Sequence, residues 1–128
     1  MKYTYSKAEK LKSHKVIESL FKEGKSVSKY PLRLVYVSLN PDEFNQHLVG
    51  VSVSKKYFKK AVDRNYYKRL LRESYRLNQH LLKDALLKPS AVMLFYQTSE
   101  NITLEQMQHK MKLLIEKLKQ QSAKESAE

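Results

Sequence analysis

The sequence has no cysteine, so disulfides and thiolate metal sites are excluded and a cytoplasmic location is the expectation. Only two glycines occur, Gly24 and Gly50. That rules out the glycine-rich phosphate loops of P-loop and Rossmann domains. No apolar run approaches the roughly 18 residues needed to cross a bilayer, and the opening MKYTYSKAEK has no apolar signal core. Acids are scarce, 13 against 25 Lys and Arg, and no paired carboxylates suggest a two-metal nuclease. The four histidines, His14, His47, His80 and His109, fall in different segments with no second group at ligand or relay spacing. The expectation is therefore no catalytic residue and no metal ligand within the chain itself.

What the chain has in excess is positive charge. The formal net charge is +12 and the pI about 9.8, which costs self-repulsion in a small domain and makes sense if the partner is a polyanion. The cations also cluster. Between Lys55 and Arg76 nine Lys or Arg face two acids, so 22 residues carry seven of the twelve excess charges. At 128 residues and 41% hydrophobic, the chain reads as one globular domain over 1–128.

Residues 1–12 are polar and Lys-rich, a flexible basic arm. Ser13 is the candidate N-cap of a helix over 13–23, with Val16, Ile17, Leu20 and Phe21 on one face and Gly24 as a left-handed stop. A β-prone stretch near 26–30 follows. A strand over 32–39 then sends Leu32, Leu34, Tyr36 and Ser38 to one side and Arg33, Val35, Val37 and Leu39 to the other. After the turn NPDEFN, a strand over 46–54 alternates Val49, Val51 and Val53 with the smaller set Leu48, Gly50 and Ser52, where something can approach the sheet closely. A helix over about 60–82 leads past Pro89 to AVMLFYQ (91–97), an unbroken apolar run that reads as an interior strand. The last helix starts at Thr103, where Gln106 completes a capping box, and its inward stripe is Met107, Met111, Leu114, Ile115 and Leu118. From Lys119 to Glu128 the composition predicts a polar, frayed tail. The order is αβββαβα, an α/β sandwich of helices on a small mixed sheet.

The second helix carries the question of function. At 100° per residue, Arg64, Asn65, Lys68, Arg69, Arg72 and Arg76 fall within an arc of about 140°. Tyr66, Tyr67, Leu70, Ser74, Leu77 and Leu81 take the opposite arc, and Lys55, Lys56, Lys59 and Lys60 lead into the helix. The ridge favours arginine, whose planar fork grips phosphate in two places and stacks on bases. The helix start adds N–H groups suited to an anion. A solvated face with spare charge is the competing reading, and the scarcity of acids on the ridge weighs against it.

At these residues the chain resembles the protein subunit of bacterial ribonuclease P. The family signature is a Lys-Lys pair leaving a strand, then Ala-Val-x-Arg-Asn-Arg-x-x-Lys-Arg-x-x-Arg-Glu. This chain has VSVSKKYFKKAVDRNYYKRLLRE from Val51 to Glu73, and LFKEGKSVS (Leu20–Ser28) is similar to the family's helix end and first strand. Two departures stand out. Tyr66 replaces the second arginine, and Tyr57-Phe58-Lys59-Lys60 replaces the usual glycine before Ala-Val. The resemblance implies a ribosomal protein S5 domain 2-like fold whose four-stranded sheet has a left-handed βαβ crossover, against the usual hand. It also implies that an RNA subunit with Mg²⁺ hydrolyses the bond freeing the 5′ end of tRNA. The protein would bind that RNA through Lys55, Lys56, Lys59, Lys60, Arg64, Asn65, Lys68, Arg69, Arg72 and Arg76. It would hold the single-stranded 5′ leader of precursor tRNA against Ile17, Phe21 and the strand face containing Tyr36, positions for which core packing is the competing reading. A structural RNA-binding protein of ribosomal type is the alternative function. A protein-only nuclease is disfavoured by the missing carboxylate and histidine sets.

Overall fold

The computed structural model describes residues 14–127. The basic arm and the Ser13 cap lie outside the described residues. The elements are α1 (His14–Glu23), β1 (Lys25–Lys29), β2 (Leu32–Ser38), β3 (Leu48–Val53), α2 (Ala61–Ala85), β4 (Ser90–Tyr96) and α3 (Leu104–Ala127). This is the αβββαβα order.

The four strands form one sheet in the order β1-β2-β4-β3. β1 and β2 pair antiparallel, as do β2 and β4, whereas β3 and β4 run parallel and are joined through α2. β4 lies inside the sheet because its side chains are apolar on both faces, so neither face has to meet water. Strand alternation then sorts the core into two layers. Leu32, Leu34, Tyr36, Val49, Val53, Val92, Leu94 and Tyr96 pack under α2 and α3. Val35, Leu39 and Ala91 pack on the other face against Leu20 of α1, with Val16, Val37, Leu48, Met93 and Phe95 around them.

Gly24 ends α1 differently from expectation. Among the described residues no glycine has a positive φ, so Gly24 is not a left-handed stop. Its role is closeness: a Cβ there would lie 2.1 Å from the Leu20 carbonyl oxygen and 2.7 Å from Val35 Cγ1. The absent side chain lets the chain pass from α1 into β1 while lying close against Val35 of β2.

α2 also differs. Its buried residues are Tyr67, Leu70, Leu71, Ser74, Tyr75, Asn78, Gln79, Leu82 and Ala85. Tyr66, expected to face inward, is 49% exposed, and Leu77 and Leu81 are half-buried. The helix packs on both the sheet and its neighbour α3, so its covered arc is rotated toward Leu71 and Tyr75. Each fully buried leucine there, such as Leu71, contributes roughly 1.5–3 kcal/mol.

α3 begins with the expected capping box. Thr103 N–H donates to Gln106 Oε1 (2.9 Å) and Gln106 N–H donates to Thr103 Oγ1 (3.1 Å). The stripe Met107, Met111, Leu114, Ile115 and Leu118 is buried. The helix does not fray at Lys119 but runs to Ala127. Polar side chains on the later turns of α3 find partners on the sheet: Lys117 Nζ donates to the Ser28 carbonyl (2.8 Å) and Gln121 Nε2 to the Tyr36 hydroxyl (3.0 Å).

Candidate nucleic-acid interface

The approach to α2 is built on Ser54. Its carbonyl accepts the N–H of Tyr57 (3.1 Å) and of Phe58 (3.2 Å), and its hydroxyl accepts the N–H of Lys56 (3.1 Å). The turn needs no positive φ, so the residues standing where a glycine is usual fit without strain. Phe58 is the peg of this loop. It is 9% exposed and stacks on Tyr67 (centroids 4.7 Å, 20°), which stacks in turn on Tyr96 (4.8 Å, 8°). Offset aromatic stacks of this kind add about 0.5–1.5 kcal/mol per pair beyond area burial. Burial pushes the Tyr67 and Tyr96 hydroxyls above the ordinary tyrosine range. They donate to Asn101 Oδ1 and to the Glu100 carbonyl respectively. With Phe58 seated, Lys55, Lys56, Lys59 and Lys60 are all left exposed.

Arg64 closes the loop onto the helix. Its Nη1 donates to the carbonyls of Phe58 (2.9 Å) and Lys59 (2.8 Å), so this half-buried arginine braces the lysine loop besides adding charge. Asn65, Arg69 and Arg72 are exposed and Lys68 is half-buried. Arg76 is committed differently: its Nε (3.1 Å) and Nη2 both donate to the Glu73 carboxylate. The guanidinium's hydrogen bond holds Glu73 below the usual carboxylate range, and the carboxylate in turn raises Arg76. The ridge is thus one surface, graded from a braced end at Arg64, through open cations at Arg69 and Arg72, to a neutralised pair at Arg76. Its N-cap residue, Lys60, makes no side-chain cap, so the first N–H groups of α2 meet no capping side chain.

The opposite face of the sheet is covered by α1 only in part. Beside α1 it presents Arg33, Val37, Gly50, Ser52, Met93 and Phe95, all half-buried, with the Arg33 guanidinium 5.9 Å from the Phe95 ring centre. Ile17 is half-buried and Phe21 is 68% exposed. Tyr36 is not on this face. It is 5% exposed and points under α3, where its hydroxyl accepts from Gln121. Residues two apart share a strand face, so the alternation that buries Leu34 also buries Tyr36 and leaves Arg33 on the α1 side. The signal for Arg33 was a lone cation in an otherwise apolar strand.

Among the described residues no three His, Asp or Glu side chains gather to hold a metal ion, and no helix is long and apolar enough to cross a membrane. His47 is structural: its Nδ1 accepts the Ser90 N–H (3.0 Å), tying the approach to β3 to the start of β4.

The family model described as Ribonuclease P matches residues 5–119. The chain is similar to the ribonuclease P protein component of Porphyromonas gingivalis, 48% identical over 81 residues, which are 63% of this chain and 59% of the relative. It is also similar to the component of Clostridium botulinum, 44% identical over 72 residues, 56% of this chain and 61% of the relative. The matched region thus spans less than two thirds of these relatives' length. Among solved structures, the RNase P protein of Staphylococcus aureus superposes with a TM-score of 0.70 at 22% identity, over 86% of this chain and 94% of that one. That of Thermotoga maritima gives 0.67 at 23%, over 84% and 96%. At these identities the two structures speak for the fold.

Proposed function

Because the chain belongs to the ribonuclease P protein family, we propose that it is the RNA-binding protein subunit of ribonuclease P. The holoenzyme hydrolyses precursor tRNA to release the 5′ leader, and the RNA subunit performs the chemistry. The observation that carries this reading is the ridge: exposed Arg69 and Arg72 and the lysine loop, fixed on a helix whose other side is pinned in the core. Cations held at fixed spacing neutralise successive phosphates, which gives tight and steeply salt-dependent binding. Mg²⁺ is assigned to the RNA. Cytoplasmic work fits the lack of cysteine.

The leader of precursor tRNA is assigned to the sheet face beside α1, with Ile17 and Phe21 joined by Arg33 and Phe95 in place of Tyr36. An apolar ring, a cation and small residues at Gly50 and Ser52 suit an unpaired strand laid across the sheet. The test is reconstitution at low Mg²⁺ of this chain with ribonuclease P RNA and precursor tRNA. The expected result is faster cleavage at the mature 5′ end than with RNA alone. Cleavage by the chain without RNA, or no change on adding it, overturns the reading.

A further inference from the structure

A recess of about 450 Å³ lies between the first turns of α2 and the residues leading into α3, lined by Asp63, Tyr66, Tyr67, Asn101, Ile102 and Thr103. That volume is within the range of small-ligand sites, about 300–1,000 Å³. Its aromatic outer wall is Tyr66, 49% exposed, with Val62, 70% exposed, one turn earlier on the same flank of the helix. Water-facing apolar groups placed side by side on a cationic helix call for a covering group.

Tyr66 is also held in place. Its ring meets Tyr67 edge-on (5.0 Å, 87°), and Tyr67 is fixed in the stack with Phe58 and Tyr96 and by its hydrogen bond to Asn101. The recess therefore offers a pre-set aromatic plane. Two features argue against a phosphate there. The Asp63 carboxylate repels an anion, and the N–H groups of Thr103 and Gln106 at the start of α3 are already taken by the capping box. Yet Asn65, just before Tyr66, and Arg69, three residues after it, belong to the ridge argued to grip phosphate. A chain tracking that ridge with its backbone can turn a base aside into the recess.

Resting on the reading of this protein as an RNA-binding subunit, we propose that the recess takes one unpaired nucleobase of the bound RNA. The base stacks on Tyr66, and the Asp63 carboxylate accepts an amino or imino N–H from its edge. Stacking of a base on an aromatic side chain is sequence-tolerant, because every base has a π-face. The carboxylate adds a preference for bases presenting N–H donors.

The chain has no tryptophan, so Tyr66→Trp creates a single reporter in the recess. Binding is followed separately by anisotropy of labelled ribonuclease P RNA. At saturation, the emission of this indole is expected to be quenched. Tyr66→Ala is expected to bind roughly 5- to 150-fold more weakly, the range for losing one stacked base. Its salt slope stays at the wild-type value, because a stack neutralises no phosphate. Tyr66→Phe keeps the affinity, and all three variants melt like wild type. Unchanged indole emission together with unchanged Tyr66→Ala affinity, while wild type binds with a steep salt slope, overturns the nucleobase site and leaves the subunit reading standing. No RNA binding by wild type overturns both.

Discussion

Replacing Arg69 and Arg72 together with alanine tests the ridge most directly. Both are exposed, one turn apart on the outer side of α2, so their removal leaves the core untouched. Exposed substitutions of this kind stay within about 0.5 kcal/mol of wild-type stability. Each guanidinium that neutralises one phosphate contributes about 0.7–0.9 to the slope of log Kobs against log salt. Losing two flattens the slope by about 1.4–1.8. At fixed moderate salt, each charge-assisted contact is worth about 1.5 kcal/mol, so the double variant binds roughly 100-fold more weakly. The assay is anisotropy of labelled ribonuclease P RNA titrated at several salt concentrations, with thermal melts alongside. The structure also supplies a control in Glu73→Ala/Arg76→Ala, which deletes an ion pair of no net charge. That variant keeps both slope and affinity near wild type. If Arg69→Ala/Arg72→Ala keeps the wild-type slope, or the Glu73/Arg76 variant flattens it equally, the ridge does not grip phosphate as argued.

Leu71→Ala removes a side chain with no exposed surface and is expected to cost about 3 kcal/mol, read by thermal or urea melts, with RNA affinity at low temperature preserved. Ser74→Ala goes the other way. The Ser74 hydroxyl is buried with no hydrogen-bond partner, so its removal is neutral or stabilising by up to about 1 kcal/mol, and a clear loss of stability in the same melts would contradict this. Alkaline pH weakens the fold. Tyr67 and Tyr96 have folded pKa values above the ordinary 10.0, so their contribution is complete below pH 10 and is lost as pH rises beyond it, when the unfolded chain gives up protons the folded one keeps. Each group adds a slope of up to about 1.4 kcal/mol per pH unit, and Tyr96→Phe removes one such share of the decline between pH 10 and 11 in urea melts.

Periodicity sufficed where the alternation of a strand or a local cap decides the outcome. The strand alternation at Leu32–Ser38, the interior position of β4 and the Thr103–Gln106 box all stand as read from spacing. It failed where two neighbours share one helix. α2 contacts both sheet and α3, so the inward arc turned toward Leu71 and Tyr75 and pushed Tyr66 into solvent, which no single-helix projection reveals. The cationic ridge was legible because charge needs only exposure, but the graded commitment of Arg64 to loop carbonyls and Arg76 to Glu73 was not. Tyr36 was misplaced because its type suits both stacking and burial. Only the pairing of β2 with its neighbours, beneath α3, decides between them.

The contact of α3 with β1 has a meaning for life at high concentration. β1 is one of the sheet's two edge strands, and a strand in that place invites a second molecule to zip on through its free peptide groups. Here Lys117 occupies the Ser28 carbonyl, and Lys25 and Lys29 stand exposed along the same margin. α3 thus shields part of this edge from a second strand, and the bordering lysines add like-charge repulsion against a second copy.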